Sequence, residues 1–267
     1  MTTRMPAPAE PPPIPAPVPV EPTEPPELVE LWKRVRGALF ALPGRFHVAL
    51  HISGVLIPDL HTLSAALGAT IEAQVVDTLN DVRTLWDPES EWTGYEFVRQ
   101  SQRFPDVILR ASNPAAQPSI LMGIELKGWY ALAKEKEPSF RYKVTPAVPT
   151  PFDLLCVMPW ALDNVIAGTP QLFAPHVVGA RFAAEYRNFW WEHLRTARGD
   201  RTIRYSAVTQ SYPQRDQPIS DQAVSDDGSN FGRYSRSGLM VDYIARLFDE
   251  PLCGVPLGKW QGFLAQF

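Results

Sequence analysis

The segment 104–127 constrains the fold of this chain more strongly than any other stretch. Two apolar runs, DVILR and ILMGIEL, flank a loop of about nine residues that contains asparagine, proline and serine. Apolar runs around such a turn-forming loop predict an antiparallel β-hairpin. If the hairpin is symmetric, Asp106 lies directly across from Glu125, and the Cβ atoms of opposed residues are about 5 Å apart.

The predicted pairing of Asp106 with Glu125 brings two carboxylates close together. They repel each other unless a positive group lies between them, and a divalent cation is the usual solution. Side chains alternate along a strand, so Lys127 is expected to point in the same direction as Glu125. Such an acid–acid–lysine cluster at the end of an apolar strand is costly to bury without a function.

The chemistry that this cluster predicts is metal-dependent hydrolysis of phosphodiesters. A hard cation held by Asp106 and Glu125 would polarise a phosphate and lower the pKa of bound water. The ammonium of Lys127 can then orient or deprotonate that water, or neutralise the developing charge.

Glu72 is a further acidic candidate, near the start of the helical pattern that precedes the strands. It shares a face with Val76 and Leu79, so its carboxylate is expected to point inward. The alternative is that Glu72 only complements the dipole at the N-terminus of that helix. The residues alone leave both interpretations open.

The motif Pro105-Asp106, eighteen intervening residues and then Glu125-Leu126-Lys127 resembles the PD-(D/E)xK nuclease superfamily. The resemblance is closest to the type II restriction endonucleases and covers about residues 70–162. Glu125-Leu126-Lys127 is the only Asp/Glu-x-Lys in the sequence. The second Pro-Asp dipeptide, at 58–59, is followed by a helical pattern and not by an apolar strand.

The resemblance implies a site, a substrate and a fold. Asp106 and Glu125 would bind Mg²⁺, Lys127 would assist the attacking water, and Glu72 would add an acidic group. The substrate would be double-stranded DNA, cleaved at a specific site by a homodimer. The fold would be α/β, with a restriction-endonuclease-like core in which a mixed β-sheet is flanked by helices.

The prolines divide the chain into two parts. Eleven of the 28 prolines fall within residues 1–26, which predicts a disordered, extended leader. Residues 27–267 are then expected to form one nuclease domain, with its core at about 70–162 and C-terminal helices and a DNA-contact loop at 163–267. Four prolines within 138–151 predict that the helix usually found between the last two core strands is short or irregular.

Hydrophobic periodicity and breaker residues predict the remaining elements. Helices are expected from Pro26 to Pro43, from Asp59 to Gly68, from Thr70 to Trp86, over 177–197 and over 239–248. Strands are expected at 46–57, 95–100, 106–110, 120–126 and 152–162. The polar stretch 205–238 is too long for a simple connector, so we expect a functional loop or several short elements.

Basic side chains that could contact DNA follow the motif. The net charge of −4 argues only weakly against a nucleic-acid partner, because a basic cleft can lie in an acidic protein. Each of these basic residues could alternatively be an ordinary solvent-exposed residue without a role in binding. The predicted contacts are Lys134, Lys136, Arg141, Lys143, Arg187, Arg215, Arg233 and Arg236.

Other features limit the function classes. The two cysteines form no CxxC motif, which argues against a disulfide scaffold or a structural zinc site and favours the cytoplasm. No run of eighteen apolar residues is present, so no membrane association is expected. Two alternatives remain open: a repair or defence nuclease without sequence specificity, and a non-catalytic protein that binds a partner through the proline-rich leader.

Overall fold

The structure is a computed structural model that describes residues 14–54, 56–100, 102–196, 199–228 and 230–267. Within these ranges the chain is mixed α/β, with one mixed β-sheet flanked by helices, as predicted. The strands of this sheet are β1 (Tyr95–Arg99), β2 (Val107–Ala111), β3 (Ile120–Tyr130), β4 (Leu154–Leu162), β5 (Pro170–Leu172) and β6 (His176–Gly179). The helices are α1 (Pro26–Ala41), α2 (Ile57–Asp81), α3 (Arg83–Trp86), α4 (Ala180–Phe189), α5 (Val241–Asp249) and α6 (Leu257–Leu264).

Strands β3 and β4 form the parallel centre of the sheet, and the other strand pairs are antiparallel. Every residue of β4 is buried, as is typical of a strand covered on both faces. Strands β5 and β6 pair with successive parts of its outer edge. The described connection 131–153 between β3 and β4 contains no helix, which agrees with the prediction from its prolines.

Helix α2 packs across the sheet and contacts β1 and β3. The apolar side chains of Val75 and Leu79 are buried, as expected for the apolar face of the predicted helix. The prediction of two helices that meet near Gly68 is wrong, because α2 runs through this position. Gly68 instead faces the sheet: a Cβ built on Gly128 of β3 would lie 3.6 Å from the Gly68 Cα. This close approach brings the following helical turn, with Glu72, to the edge of the hairpin.

The strand predicted at 46–57 is absent from the described part of that segment. Ile52 makes an isolated antiparallel bridge with Gly168. The side chains of Phe46, Val48 and Leu50 pack against the core from irregular backbone. The apolar side chains of this segment are therefore packed against the core, although its backbone forms no strand.

The long helix predicted over 177–197 begins later than expected. Val177 and Val178 belong to strand β6 and pair with Cys156 and Leu155 of β4. These β-branched residues suit a sheet edge, so the helix starts only at Ala180. A π-helix, Trp190–Leu194, follows directly after the end of α4.

The predicted leader lies partly outside the described residues, which begin at 14. Residues 14–25 contain neither helix nor strand, as expected of a proline-rich segment. Pro22 is buried and lines a groove with Pro151 and Phe182, whereas Val18 and Val20 at the same groove remain exposed.

The C-terminal third contains several short elements. The polar stretch 205–238 contributes strand β8 (Gln222–Ala223), which pairs with β7 (Ile203–Arg204), and a 3₁₀ turn at Tyr234–Ser237. Helix α5 matches the predicted final helix, whereas the hairpin of β9 (Pro251–Leu252) with β10 (Val255–Pro256) and helix α6 were not predicted. Among the described residues, no helix combines the length and the apolar composition needed to cross a membrane.

Candidate active site

The register of the β2–β3 hairpin brings the two predicted acids together. Val107 pairs with Ile124, so the preceding Asp106 lies opposite the following Glu125. A bulge at Leu109/Arg110 shifts the pairing nearer the loop. The prediction that the two carboxylates face each other across this hairpin is therefore confirmed.

Lys127 is the positive group between the two acids. Its Nζ lies 2.7 Å from Glu125 Oε1 and 3.2 Å from Asp106 Oδ2. Strand alternation predicts this placement, because Lys127 and Glu125 point from β3 to the same side. The structure thus brings Asp106, Glu125 and Lys127 into one hydrogen-bonded cluster.

Backbone amides hold both carboxylates in place. Asp106 Oδ2 accepts a hydrogen bond from the Leu126 amide at 3.0 Å. Glu125 Oε2 in turn accepts one from the Asp106 amide at 3.3 Å. Each acid is thus tied to the opposite strand, and the cluster is part of the hairpin and not of a free loop.

Glu72 approaches the cluster from helix α2. Its Oε2 lies 3.5 Å from Nη2 of Arg99, at the end of β1. Burial and the nearby charge of Asp106 raise the pKa of Glu72. The carboxylate therefore points inward, which is one of the two interpretations that the sequence left open. The other, a role at the helix N-terminus, is excluded because α2 begins at Ile57. Arg99 was missed, although it is paired with Val107, the residue that follows Asp106.

Burial has the largest effect on the pKa values of Glu125 and Lys127. Burial raises the pKa of Glu125 to about 7, and the neighbouring Asp106 adds to the rise while Lys127 opposes it. Burial alone would lower the pKa of Lys127, but the carboxylates of Glu125 and Asp106 outweigh it and raise the value. The ammonium therefore stays charged, and the carboxylate of Glu125 is the group whose charge is incompletely balanced.

The chemistry of the donors fits a hard divalent cation. Glu72, Asp106 and Glu125 supply carboxylate oxygens, which Mg²⁺ prefers. The three acids have two basic neighbours, Lys127 and Arg99. In the present arrangement no cluster of three or more His, Cys, Asp or Glu poised around a common metal position is found in the described part of the chain. Nζ of Lys127 occupies the space between the two hairpin acids instead.

A cleft of about 360 Å³ opens on Asp106 and Glu125. Arg103, Arg141 and Lys143 also line it, so cationic side chains surround the acidic floor. The cationic side chains attract an anion such as a phosphate group, whereas the carboxylates repel it unless a cation lies between them. Arg103 was not among the predicted contacts, although it lies close to Asp106 in sequence.

The predicted DNA contacts separate into two groups. Arg141 and Lys143 line the cleft. Arg215 donates to Gln102, which also lines the cleft, and the backbone of Arg233 bridges to that of Arg141. These four basic residues lie at the cleft or beside it.

The other four contacts are placed differently. Lys134 and Lys136 are exposed on the turn after β3 and do not line the cleft. Arg236 pairs with Glu137, with 3.6 Å between Nε and Oε1. Arg187 is only 2% exposed, and its guanidinium binds groups inside the protein. A buried arginine offers no surface to DNA, so its predicted role as a direct contact is corrected.

Asp153 is a buried acid that the sequence analysis did not single out. Its carboxylate accepts hydrogen bonds from the amide of Gly123 at 2.6 Å, the amide of Thr150 at 2.7 Å and the hydroxyl of Tyr212 at 2.9 Å. It thereby ties β3 to the segment before β4 and to the polar stretch 205–238. Its position directly before the buried strand β4 was the only signal in the sequence.

We expect Gly123→Ala to disrupt the hairpin. A Cβ at this position would lie 2.2 Å from Cγ of Pro105 and 3.0 Å from Asp153 Oδ1, so the turn that carries Asp106 would have to move. Overpacking of this kind costs about 1–3 kcal/mol, and thermal unfolding measures it. Gly94→Ala is the control, because nothing lies within 4 Å of its added Cβ. Equal melting temperatures for Gly123→Ala and the wild type would contradict this packing.

Comparison with known proteins supplies no relative for this chain: no protein-family model, no curated protein and no solved structure matches it. The interpretation of the site consequently depends on its geometry and on the motif.

Proposed function

We propose that this protein is a Mg²⁺-dependent endodeoxyribonuclease that hydrolyses phosphodiester bonds in double-stranded DNA. The observation that carries the proposal is the cluster of Asp106, Glu125 and Lys127, whose two acids open on a cleft that is also lined by basic residues. Together with the Pro105-Asp106 and Glu125-Leu126-Lys127 motif, it favours a PD-(D/E)xK nuclease with a restriction-endonuclease-like core. A site-specific, homodimeric enzyme of the cytoplasm is the form that this resemblance suggests.

Asp106 and Glu125 would hold the cation, which polarises the phosphate and lowers the pKa of a bound water molecule. Arg103, Arg141 and Lys143 would bind the DNA backbone and orient it over the acids.

The ammonium of Lys127 has a role of its own. It lies beside both hairpin acids, so it would donate hydrogen bonds to the attacking oxygen and the phosphate. It also neutralises the charge that develops in the transition state. Glu72 would supply a further acidic group at the edge of the site.

A digest of plasmid DNA with and without Mg²⁺ tests the proposed function. We expect cleavage with Mg²⁺ and none after chelation. Discrete fragments would indicate site-specific restriction, whereas a smear would indicate the alternative, a nuclease of the same fold without sequence specificity. Intact plasmid at every concentration of Mg²⁺ would contradict both forms and favour a non-catalytic protein.

A further inference from the structure

Two basic residues that line the cleft, Arg141 and Lys143, lie on backbone outside the main sheet. The segment that carries them, residues 141–145, is called the cleft wall below. It makes two isolated bridges, from Arg141 to Arg233 and from Val144 to Ser220. Its backbone also forms hydrogen bonds with that of residues 219, 221 and 232. It is not part of a regular ladder, so side-chain groups behind it also contribute to its position.

One buried guanidinium binds this segment twice. Nη1 of Arg187 donates to the carbonyl oxygens of Tyr142 at 2.9 Å and Val144 at 3.0 Å. Its Nε and Nη2 donate to Oδ1 of Asn188. Arg187 lies in helix α4, so the helix and the cleft wall are joined through a single side chain.

Asp221 completes the arrangement. Its Oδ2 accepts hydrogen bonds from Nη2 of Arg187 at 2.7 Å and from Nδ2 of Asn188 at 3.0 Å, and its amide donates to the carbonyl of Lys143 at 2.8 Å. The Arg187 side chain thus holds the carbonyls of Tyr142 and Val144, and the main chain of Asp221 holds that of Lys143.

The side chain of Lys143 is confined as well. The Tyr142 amide donates to the carbonyl of Gly232 at 2.7 Å, and a Cβ built on Gly232 would lie 2.7 Å from Cγ of Lys143. The neighbouring Phe231 packs its ring against the guanidinium of Arg187, with 5.1 Å from Cζ to the ring centre. The stretch 231–232 therefore links the buried pair to the cationic side chain.

We propose that Arg187 and Asp221 are positioning residues that fix Lys143 for contact with the DNA backbone. This inference rests on the proposed function. Replacing a buried ion pair by apolar residues of similar volume is often neutral or stabilising, so stability alone does not explain this pair. The hydrogen bonds of the Arg187 guanidinium to two carbonyls of the cleft wall do explain it.

Arg187→Lys tests the proposal, because it keeps the charge but loses the planar fork that reaches both carbonyls. Lys143 binds substrate and transition state alike, so its displacement should raise KM for DNA about fivefold and leave kcat within about twofold. Arg181→Lys is the control. Arg181 lies on the same helix and also donates to a backbone carbonyl, that of Pro149, which does not line the cleft.

A double-mutant cycle separates positioning from general loosening. We expect Lys143→Ala to weaken DNA binding about fivefold. Introducing Arg187→Lys into that variant should weaken binding by less than a further factor of about two, because both substitutions remove the same contact between Lys143 and DNA. Amide hydrogen exchange of residues 142–145 should be faster in Arg187→Lys even without DNA. Fully additive losses, or a fall in kcat with KM unchanged, would overturn the proposal.

The outcomes also distinguish this inference from the proposed function. If the wild type neither binds nor cleaves DNA, the proposed function fails and the positioning role for DNA fails with it. If the wild type cleaves DNA and Arg187→Lys has the same KM and the same hydrogen exchange, only the positioning role is overturned.

Discussion

Glu125→Gln is expected to abolish DNA cleavage and to make the folded protein more stable above about pH 7. The carboxylate is a proposed cation ligand, and its loss should lower kcat by about 10³-fold or more. The same carboxylate is 8% exposed and buried beside Asp106, so its ionisation opposes folding. A neutral amide of nearly the same shape removes that cost.

The pH dependence of this stabilisation has a definite sign. The pKa of Glu125 rises from 4.5 to about 7 on folding, so the folded protein retains a proton that the unfolded chain releases. The free energy of unfolding of the wild type therefore falls as the pH rises between these values. Glutamine does not titrate, so the advantage of the variant grows over this interval and reaches about 1–3 kcal/mol above it.

Chemical denaturation at several pH values measures this difference, and a DNA cleavage assay measures the loss of activity. Glu135→Gln is the control, because Glu135 is exposed on the turn after β3. A variant at Glu125 that is less stable than the wild type at pH above about 7 would show that the carboxylate is well balanced in the folded protein.

Lys127→Met is expected to remove cleavage while strengthening the binding of a divalent cation. The ammonium lies within 3.2 Å of both hairpin acids and therefore competes with a cation for them. Methionine fills similar space without charge. We expect kcat to fall by about 10³-fold, because the charge developing at the phosphate is no longer neutralised.

Calorimetry with Mg²⁺ in the absence of DNA separates these two effects. It should be performed at a pH well above about 7, because loss of the ammonium raises the pKa of Glu125 further and protons would compete with the cation. Lys134→Met serves as the control, since Lys134 is exposed and away from the cleft. Unchanged or weaker binding of Mg²⁺ by Lys127→Met would contradict the competition.

The hairpin and its acids could be predicted because short-range rules determine them. The register follows from the position of the loop between two apolar runs, and strand alternation then places Lys127 beside Glu125. For Glu72, helical periodicity supplied one of two open interpretations. In each case the side-chain direction depends only on the period of one element.

Features that depend on distant partners were not predictable in this way. The burial of Arg187 is set by Asp221 and by the carbonyls of Tyr142 and Val144, which no local pattern connects to helix α4. The pairing of Val177 and Val178 with β4 turned a predicted helical start into a strand, because the open edge of a buried strand outweighed helical propensity. The basic residues that line the cleft, Arg103, Arg141 and Lys143, likewise come from segments that are far apart in sequence.

Cleavage of plasmid DNA by Asp106→Asn, compared with Asp59→Asn, tests most directly that the hairpin cluster is the hydrolytic site. Both substitutions change the aspartate of a Pro-Asp dipeptide, but Asp59 is exposed in the first turn of α2. We expect Asp59→Asn to retain the Mg²⁺-dependent cleavage of the wild type and Asp106→Asn to lose it, with both variants folded. Full cleavage by Asp106→Asn would contradict the assignment of the site.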